Sequence, residues 1–404
     1  MVHITKKKSF QLINFWKFIQ CKILGLQIVY NYRQPYLLVI IHKKALIFIV
    51  VSSIVCRRFV KGRYEILEKE ITVVAVDAMG GDNAPAEIVK GAVDALRERD
   101  DIKVILVGIA DTVSSELGKY EYDKERIEVV NATEVIATDE PPVHAIRRKK
   151  DSSIVVALNL VKNKQADAFV SAGSSGAVLV GGQLIVGRLR GIERPPLAPL
   201  IPTKDGVALL IDCGANVDAR ASHLVQFAKM GSVYMENVVG IKNPKVAIVN
   251  IGAEEEKGNA LVKETMPLLK NCADINFIGS IEARDIPTGY ADVIVCEAFV
   301  GNVILKLYEG IGNVMLGKVK EGLMSSFRSK MGALLIKPAL KKTLKAFNTD
   351  EYGGAPLLGL NGLVVKTHGS SKAIEIKNSI IQCISFKNEK INDKIKQHLL
   401  LEEN

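Results

Sequence analysis

The fold of this protein is indicated by one stretch of its sequence, ITVVAVDAMGGDNAPAEIVKGAVDALRER (residues 71–99). The stretch contains, in order, a β-branched apolar run, a polar turn with two adjacent glycines, and an amphipathic segment with helical spacing. An apolar run without alternation is typical of a strand buried on both faces, as in a parallel sheet covered by helices. The stretch therefore predicts a strand, loop and helix unit of an α/β protein.

The same order of elements recurs along the chain after residue 71. Eight apolar runs are predicted as strands: Ile71–Val76, Lys103–Val107, Arg126–Val130, Ala168–Ser171, Val207–Ile211, Lys245–Ile251, Ile275–Ile278 and Asp292–Cys296. Four helical patterns lie between them: Ala84–Arg99, Ser152–Lys164, Ala219–Glu236 and Asn259–Asn271. This alternation predicts a doubly wound, mostly parallel sheet in one large α/β unit, either undivided or bilobed.

The net charge of +10 belongs entirely to the first 70 residues. They hold 13 Lys and Arg against three Glu, whereas the rest of the chain holds 41 basic and 41 acidic side chains. The charge therefore gives no support for a nucleic-acid partner of the main unit. We predict an N-terminal extension (1–70) outside the main fold, an α/β domain (71–386), and a charged C-terminal tail or helix (387–404).

The N-terminal extension combines apolar and basic residues. Its longest uncharged apolar run, Ala45–Cys56, has 12 residues and is too short to span a bilayer, which takes about 20. Basic residues occur throughout, unlike in a secretory signal. Two interpretations remain open. In the first, the segment is a weak anchor at a membrane surface. In the second, which the residues favour, translation begins further along at a non-ATG codon, such as that of Val60, Ile66 or Leu67, and the assigned start lies upstream of the true one.

Polar, glycine-rich loops follow five of the predicted strands. They are DAMGGDNAP (77–85), SAGSSGA (171–177), DCGANVDA (212–219), NIGAEEEKGN (250–259) and EAFVGNV (297–303). Ligands of open α/β sheets bind at the carboxyl ends of the strands, so these loops are expected to line one cleft. The chain has no G-x-G-x-x-G or P-loop motif, and its cysteines and histidines lack zinc spacing, so no cofactor or metal is expected.

The glycines of the loop DAMGGDNAP allow close approach of the backbone to a phosphate or substrate, and the loop SAGSSGA suits an anion such as phosphate. A glycine-rich turn at a helix start offers backbone amides and hydroxyls to a negative charge. The expected contacts are Asp77, Gly80 and Gly81 in the first loop and Gly173, Ser174, Ser175 and Gly176 in the second. For the second loop a tight turn with a Ser N-cap is an equally good interpretation.

The other loops carry polar groups with two interpretations each. Lys257 can hold a phosphate or polarise a carbonyl, although the residues alone favour a solvated charge run. Asn302 offers an amide to an oxyanion or caps a helix, and Asn216 and Asp218 share that ambiguity. His368, in the string KTHGSS, is placed in a loop beside the site. Together, the polar side chains and glycine-rich turns of these loops suit a site that binds an anion next to an electrophilic substrate.

Ten strings of the sequence occur in the order of one known family. They are VDAMGGDNAP, SAGSSGA, ERPPLAP, DCGANVDA, LVQFAKMGSVY, NIGAEEEKGN, NFIGSIEARD, GNVILKLYEG, YGGAPLLGL and VKTHGSS. Together they resemble the bacterial phosphate acyltransferases, which make acyl phosphate from acyl-acyl carrier protein and inorganic phosphate for phospholipid synthesis. The resemblance covers nearly all of the α/β domain and none of residues 1–70.

The resemblance implies a fold related to the phosphotransacetylase and isocitrate dehydrogenase-like group. It also implies a cytoplasmic, peripherally membrane-associated homodimer in which Lys257 and Asn302 are catalytic. The chain departs from the family at Ser174 and Ser175, where Asn and Thr are usual, and at Val300, where Thr is usual. A phosphotransacetylase that acts on acyl-coenzyme A remains the alternative. A dinucleotide-dependent dehydrogenase is disfavoured because the sequence has no dinucleotide fingerprint.

One stretch of the neutral domain, residues 322–349, has six basic residues and no acid. Its amphipathic pattern predicts contact with an anionic membrane or with acidic acyl carrier protein. The predicted contacts are Arg328, Lys330, Leu334, Leu335, Lys337, Lys341 and Lys342. A helical pair that faces a second subunit is the alternative.

A second cluster, RRKK (Arg147–Lys150), suits carrier-protein docking or a solvated turn equally well.

Overall fold

The computed structural model describes residues 16–21, 26–31, 37–42, 45–50, 70–345 and 353–400, the first four ranges as backbone alone. The chain divides into two compact units, residues 1–70 and 71–404. The first unit contains four strands: β1 Trp16–Cys21, β2 Leu26–Asn31, β3 Leu37–His42 and β4 Ala45–Val50. Each strand pairs antiparallel with the next. The 12-residue apolar run thus contributes strand β4.

The second unit contains two sheets. The six-stranded sheet consists of β5 Thr72–Asp77, β6 Ile102–Gly108, β7 Ile127–Asn131, β8 Ala168–Ser171, β14 Ala355–Pro356 and β15 Leu363–Lys366. Its order is β14-β15-β8-β5-β6-β7, with every pair parallel except β14 and β15. The five-stranded sheet consists of β9 Leu200–Thr203, β10 Gly206–Ile211, β11 Lys245–Val249, β12 Asn276–Ile281 and β13 Val293–Val295. Its order is β12-β11-β13-β10-β9, and only β9 is antiparallel to its neighbour.

Eleven α-helices are described in the second unit. They are α1 Ala86–Glu98, α2 Ala110–Leu117, α3 Pro142–Arg148, α4 Ser153–Lys162, α5 Ser175–Gly181, α6 Ala221–Tyr234, α7 Ala260–Lys270, α8 Ala298–Met324, α9 Phe327–Lys345, α10 Ala373–Asn388 and α11 Ile391–Leu400. Short π-helical segments extend α5 over Gly182–Val186 and α6 over Met235–Val239, and a 3₁₀-helix covers Ala283–Thr288.

The α/β class and the mostly parallel pairing are confirmed. All eight predicted strands exist, with ends shifted by up to three residues, but they form two sheets, as in the bilobed alternative. The sequence did not predict β9, β14 and β15. All three have only two to four residues, and β9 and β14 contain a proline, which in a sequence argues against a strand.

The parallel strands are buried because helices cover them. In β5, five of six residues are buried, and α1 packs its apolar face toward the same core through Ile88, Val89 and Leu96. Helix α10 crosses α1 closely at Gly91, where an added Cβ would lie 2.6 Å from Ile376 Cβ. The core therefore fixes the strand ends, and with them the loops that follow.

Helices α8 and α9 differ from the others because much of their apolar surface is exposed. The exposed apolar residues are Phe299, Val303, Leu307, Ile311, Val314, Met315, Leu316, Val319, Met324, Phe327, Met331, Leu334, Leu335 and Ile336. Among the described residues, no helix has the length and apolar content to cross a membrane.

Candidate active site

Three neighbouring strands of the six-stranded sheet end in a row of polar residues. Lys366 is in register with Ser171, and the pairing of Val76 with Val170 places Asp77 beside Ser171 on the other side. All three side chains are buried. Residues in register on parallel strands point to the same face of the sheet. The ends of β15, β8 and β5 thus form a polar row beneath the loops that follow them.

The Asp77 carboxylate supports the loop 171–177 from beneath. Its Oδ2 accepts a hydrogen bond from the Ser171 hydroxyl at 2.7 Å, and its Oδ1 accepts one from the Met79 amide at 3.2 Å. The Ser171 Oγ accepts in turn from the Gly173 amide at 2.9 Å. Burial raises the pKa of Asp77, against the effect of these hydrogen bonds. Asp77 therefore holds two loops together.

Glycines let these loops approach each other. A Cβ on Gly80 would lie 2.2 Å from Asp77 Oδ2 and 2.6 Å from the Gly173 nitrogen. Gly81 has φ +96°, a conformation that favours glycine, and a Cβ there would lie 2.8 Å from the Gly369 carbonyl oxygen. The structure thus places both predicted glycines where the loops after β5, β8 and β15 meet.

Loop 171–177 presents amide groups at the start of α5. The Ser174 hydroxyl caps the helix by accepting from the Ala177 amide at 3.4 Å. The amides of Ser174, Ser175 and Gly176 have no acceptor among the described residues. Both interpretations of the loop are compatible with this geometry, since the cap uses a hydroxyl and leaves three amides for an anion.

The loop KTHGSS (366–371) packs against the loop after β5 (77–85). The Asp82 amide donates to the Gly369 carbonyl at 2.8 Å. The Asn83 side chain donates to the carbonyls of Ser370 at 2.9 Å and Ser371 at 3.2 Å. These bonds hold the loop after β15 against the loop after β5, so His368 is brought to the same edge as loop 171–177.

Lys257 lies at the corresponding edge of the five-stranded sheet. It is exposed in the loop after β11, three residues before α7, and its Nζ is 2.8 Å from Glu254 Oε1. This hydrogen bond raises the pKa of Lys257, so the ammonium is charged at neutral pH. Because β11 and β13 are neighbours in the sheet, the Lys257 loop lies next to the start of α8.

Asn302 lies in the second turn of α8 and is exposed. The helix is capped by Glu297, whose carboxylate accepts from the Phe299 amide at 2.6 Å and the Val300 amide at 3.0 Å. The alternative that Asn302 caps the helix is therefore wrong. Asn302 thus projects from a regular helix that follows β13, the strand next to β11 in the sheet.

Asn216 and Asp218 occupy different environments in the loop after β10. Asn216 is buried, and its amide donates to Asp212 Oδ2 at 2.8 Å and to the Pro195 carbonyl at 3.0 Å. Both of its amide hydrogens are thus used to fix the loop, which also positions α8 through a bond from the Ala298 amide to the Asn216 carbonyl. Asp218 is exposed.

A contact between α8 and the KTHGSS loop joins the edges of the two sheets. Lys306 Nζ lies 3.0 Å from His368 Nε2 and 2.8 Å from Glu309 Oε2. Lys306 follows Asn302 by four residues, and such residues share one face of a helix. Asn302 is therefore on the face of α8 that meets the loops of the six-stranded sheet.

Two basic residues of this region were missed by the sequence analysis. Lys366 ends β15 with 7% of its surface exposed, and burial lowers its pKa to about 8. Lys306 contacts His368 as described above. The available signals were the position of Lys366 in the string VKTHGSS and the four-residue spacing of Lys306 from Asn302. In the described part of the chain, no group of three His, Cys, Asp or Glu has metal-binding geometry.

The basic stretch of α8 and α9 lies apart from these loops in the sequence and is exposed. Five of its predicted contact residues have exposed side chains: Arg328, Lys330, Leu334, Leu335 and Lys337. The side chains of Lys341 and Lys342, and residues 346–349, lie outside the described residues. In the second basic cluster, Lys149 forms an ion pair with Glu140.

The fold and the position of the site define a class of protein. A phosphotransacetylase from Streptococcus pyogenes has a similar structure, with a TM-score of 0.54 and 19% identity over 80% of this chain and 96% of that one. The chain thus has the phosphotransacetylase fold. A family model described as "Fatty acid synthesis protein" matches residues 72–394.

Similar proteins of known name show the family to which the chain belongs. The chain is 52% identical over 326 residues to the phosphate acyltransferase of Clostridium novyi (strain NT), covering 81% of this chain and 98% of that protein. It is also 52% identical over 324 residues to the phosphate acyltransferase of Alkaliphilus oremlandii (strain OhILAs), covering 80% and 96%. The chain belongs to the phosphate acyltransferase family and is an acyltransferase.

Proposed function

We propose that this enzyme transfers a fatty acyl group from the thioester of acyl-acyl carrier protein to inorganic phosphate, and so supplies acyl phosphate for phospholipid synthesis. The observation that supports this most directly is the contact between Lys306 and His368, 3.0 Å apart. It brings the helix of Asn302 to the loops that suit phosphate, so an anion and an electrophile have adjoining sites.

In the proposed mechanism, phosphate lies at loop 171–177 and one of its oxygens attacks the thioester carbonyl carbon. A C–O bond forms and the carbonyl oxygen becomes an oxyanion, which the Lys257 ammonium and the Asn302 amide stabilise. The C–S bond then breaks, the electron pair leaves on sulfur, and the proton of the phosphate passes to the thiolate. Phosphate is itself an anionic nucleophile, so no covalent enzyme intermediate is required, and positioning of the two substrates supplies much of the rate.

The choice of acyl donor is tested by product analysis with the full chain. The enzyme is mixed with phosphate and either acyl-acyl carrier protein or acyl-coenzyme A of the same acyl length, and acyl phosphate is quantified. We expect kcat/KM to be at least about tenfold higher with the carrier protein, equal to roughly 1.4 kcal/mol of transition-state binding. A preference for coenzyme A would favour the phosphotransacetylase alternative instead.

The same proposal includes a homodimer and a transient contact with an anionic membrane surface. Along α8, Phe299, Val303, Leu307 and Ile311 are exposed at four-residue intervals, a spacing that places them in one apolar stripe. A second copy of the chain would bury this stripe. Within α9, exposed Leu334 and Leu335 are flanked by exposed Lys330 and Lys337, a pattern that suits the surface of an anionic bilayer.

The membrane contact is tested by sedimentation with vesicles. Replacing Leu334 and Leu335 together with Ser removes two exposed apolar side chains, whose burial in a bilayer is worth roughly 1.5–3 kcal/mol each. We therefore expect the wild type to sediment with vesicles that contain anionic lipid and the double variant to remain largely in the supernatant. The double variant Ile374→Ser and Tyr290→Ser, exposed elsewhere, is the control. Equal sedimentation of wild type and L334S/L335S would count against the membrane contact.

A further inference from the structure

Three basic side chains meet where the edges of the two sheets come together. Lys306 extends from α8, Lys366 ends β15, and His368 follows two residues later. The Lys306 ammonium lies 3.0 Å from His368 Nε2, and its charge acts on Lys366 as well. Glu309 lies 2.8 Å from the Lys306 ammonium, and Asp77 and Asp82 act on Lys366, so each lysine has a carboxylate in its surroundings.

The hydrogen bonds of His368 define its role. Nε2 lies 3.0 Å from Lys306 Nζ, and Nδ1 lies 2.7 Å from Ser370 Oγ and 3.2 Å from the Ser370 amide. Because an ammonium can only donate, the contact with Lys306 is a hydrogen bond in the tautomer that carries the ring proton on Nδ1. Burial and the charge of Lys306 lower the pKa of His368, with Lys366 acting in the same direction, while Glu309 and Asp82 oppose them. Neutral His368 thus orients the Lys306 ammonium without adding a charge.

Lys366 contributes a positive charge from beneath the loops. It donates to the Thr367 carbonyl, and the carboxylates that act on it are Asp77 and Asp82. Burial, together with the charge of Lys306, lowers its pKa to about 8, and the two Asp oppose this shift. Asp77 already accepts from Ser171 and Met79. An anion that reached both Lys306 and Lys366 would form charge-assisted hydrogen bonds with them.

We propose that Lys306 and Lys366 bind the phosphate nucleophile together, one from each sheet, and that His368 is a positioning residue that holds Lys306 toward it. The inference rests on the proposed function and deepens it by assigning the cationic part of the phosphate site. It also places the phosphate next to the proposed thioester site, since Lys306 lies on the same face of α8 as Asn302.

The test compares Lys306→Met and Lys366→Met with wild type in steady-state kinetics. Loss of a charge-assisted hydrogen bond predicts a rise of about 10- to 100-fold in the KM for inorganic phosphate. The KM for the acyl donor is expected to stay within about threefold, because uniform damage to the fold would affect both substrates. Lys318→Met is the matched control: Lys318 pairs with Glu321 at 2.7 Å on the same helix, as Lys306 pairs with Glu309 at 2.8 Å.

His368 is tested through a pair of substitutions. His368→Ala removes the acceptor of Lys306 and is expected to raise the phosphate KM by about three- to tenfold, equal to a hydrogen bond of roughly 1 kcal/mol. His368→Gln places an amide oxygen near the position of Nε2 and is expected to restore most of the affinity. A failure of Gln to restore the affinity, with Ala and Gln equally impaired, would overturn the positioning role.

A binding measurement keeps the inference independent of turnover. Inorganic phosphate is expected to raise the Tm of the wild type, at ionic strength matched with chloride, and to raise that of Lys306→Met much less. Lys306 is half-exposed, so this variant is expected to fold even if Lys366→Met does not. A phosphate-dependent Tm shift and a phosphate KM that match the wild type in Lys306→Met would overturn the inference.

A fourth variant separates failure of the inference from failure of the proposed function. Ser175→Pro removes one amide of loop 171–177 at the first residue of α5, where proline is tolerated. If Ser175→Pro raises the phosphate KM and the lysine variants do not, the cationic site is wrong and the loop stands. If none of them changes the phosphate KM, phosphate binds elsewhere and both proposals fail.

Discussion

Replacing Lys257 with Met, or Asn302 with Ala, is expected to lower kcat for acyl phosphate formation by about 100- to 1,000-fold, the usual effect of removing one oxyanion donor. Lys257 is exposed, and among the described residues it forms a surface ion pair with Glu254, so its loss should barely alter stability. Asn302 is exposed in a helix that Glu297 caps, so Ala is also compatible with the fold there. The defect should therefore appear in catalysis and leave the Tm nearly unchanged.

The controls are matched in chemistry and exposure. Lys263→Met replaces another exposed lysine in α7, the helix after the Lys257 loop, and should keep wild-type kcat. The double variant is expected to lose less activity than the product of the two single effects, because both groups stabilise one oxyanion. Near-normal rates in both single variants would remove Lys257 and Asn302 from the chemistry.

Replacing Gly301 with Ala is expected to unfold the start of α8 or to destabilise the whole second unit. A Cβ at this position would lie 1.8 Å from the Asp212 carbonyl oxygen and 3.0 Å from Cys296 Sγ. Neither neighbour can move easily, because Asp212 is fixed by hydrogen bonds from Leu197 and Asn216. Overpacking of this kind costs about 1–3 kcal/mol or more. We expect a marked fall in Tm, and loss of activity because Asn302 is the next residue.

The same helix supplies the control for this substitution. Gly310 has no atom within 4 Å of an added Cβ. In a helix interior, Ala is favoured over Gly by about 0.8–1 kcal/mol, so Gly310→Ala should leave the Tm unchanged or raise it slightly. Thermal unfolding of the two variants beside wild type gives the comparison. An unaltered Tm in Gly301→Ala would mean that α8 and the loop after β10 do not pack as closely as described.

The sequence pattern located the loops of the site, but it did not show which distant residues those loops contact in the fold. Strands such as β5 and β11 have β-branched apolar runs, so the polar loops after them could be located directly. The role of Asn302 could not be separated from capping by sequence alone. A helix start is uncertain by one or two residues, and only the bonds from Phe299 and Val300 to Glu297 identify the cap.

The amino-acid sequence by itself determined the α/β class, the positions of most strands and the glycine-rich loops, because these follow from local periodicity. It also carried the resemblance to the phosphate acyltransferases. Only the tertiary structure decided that the strands form two sheets and that Lys366 and Asp77 lie in one buried row. It likewise brought Lys306 to His368. These contacts join residues far apart in the chain, and their geometry depends on sheet order, which local spacing does not encode.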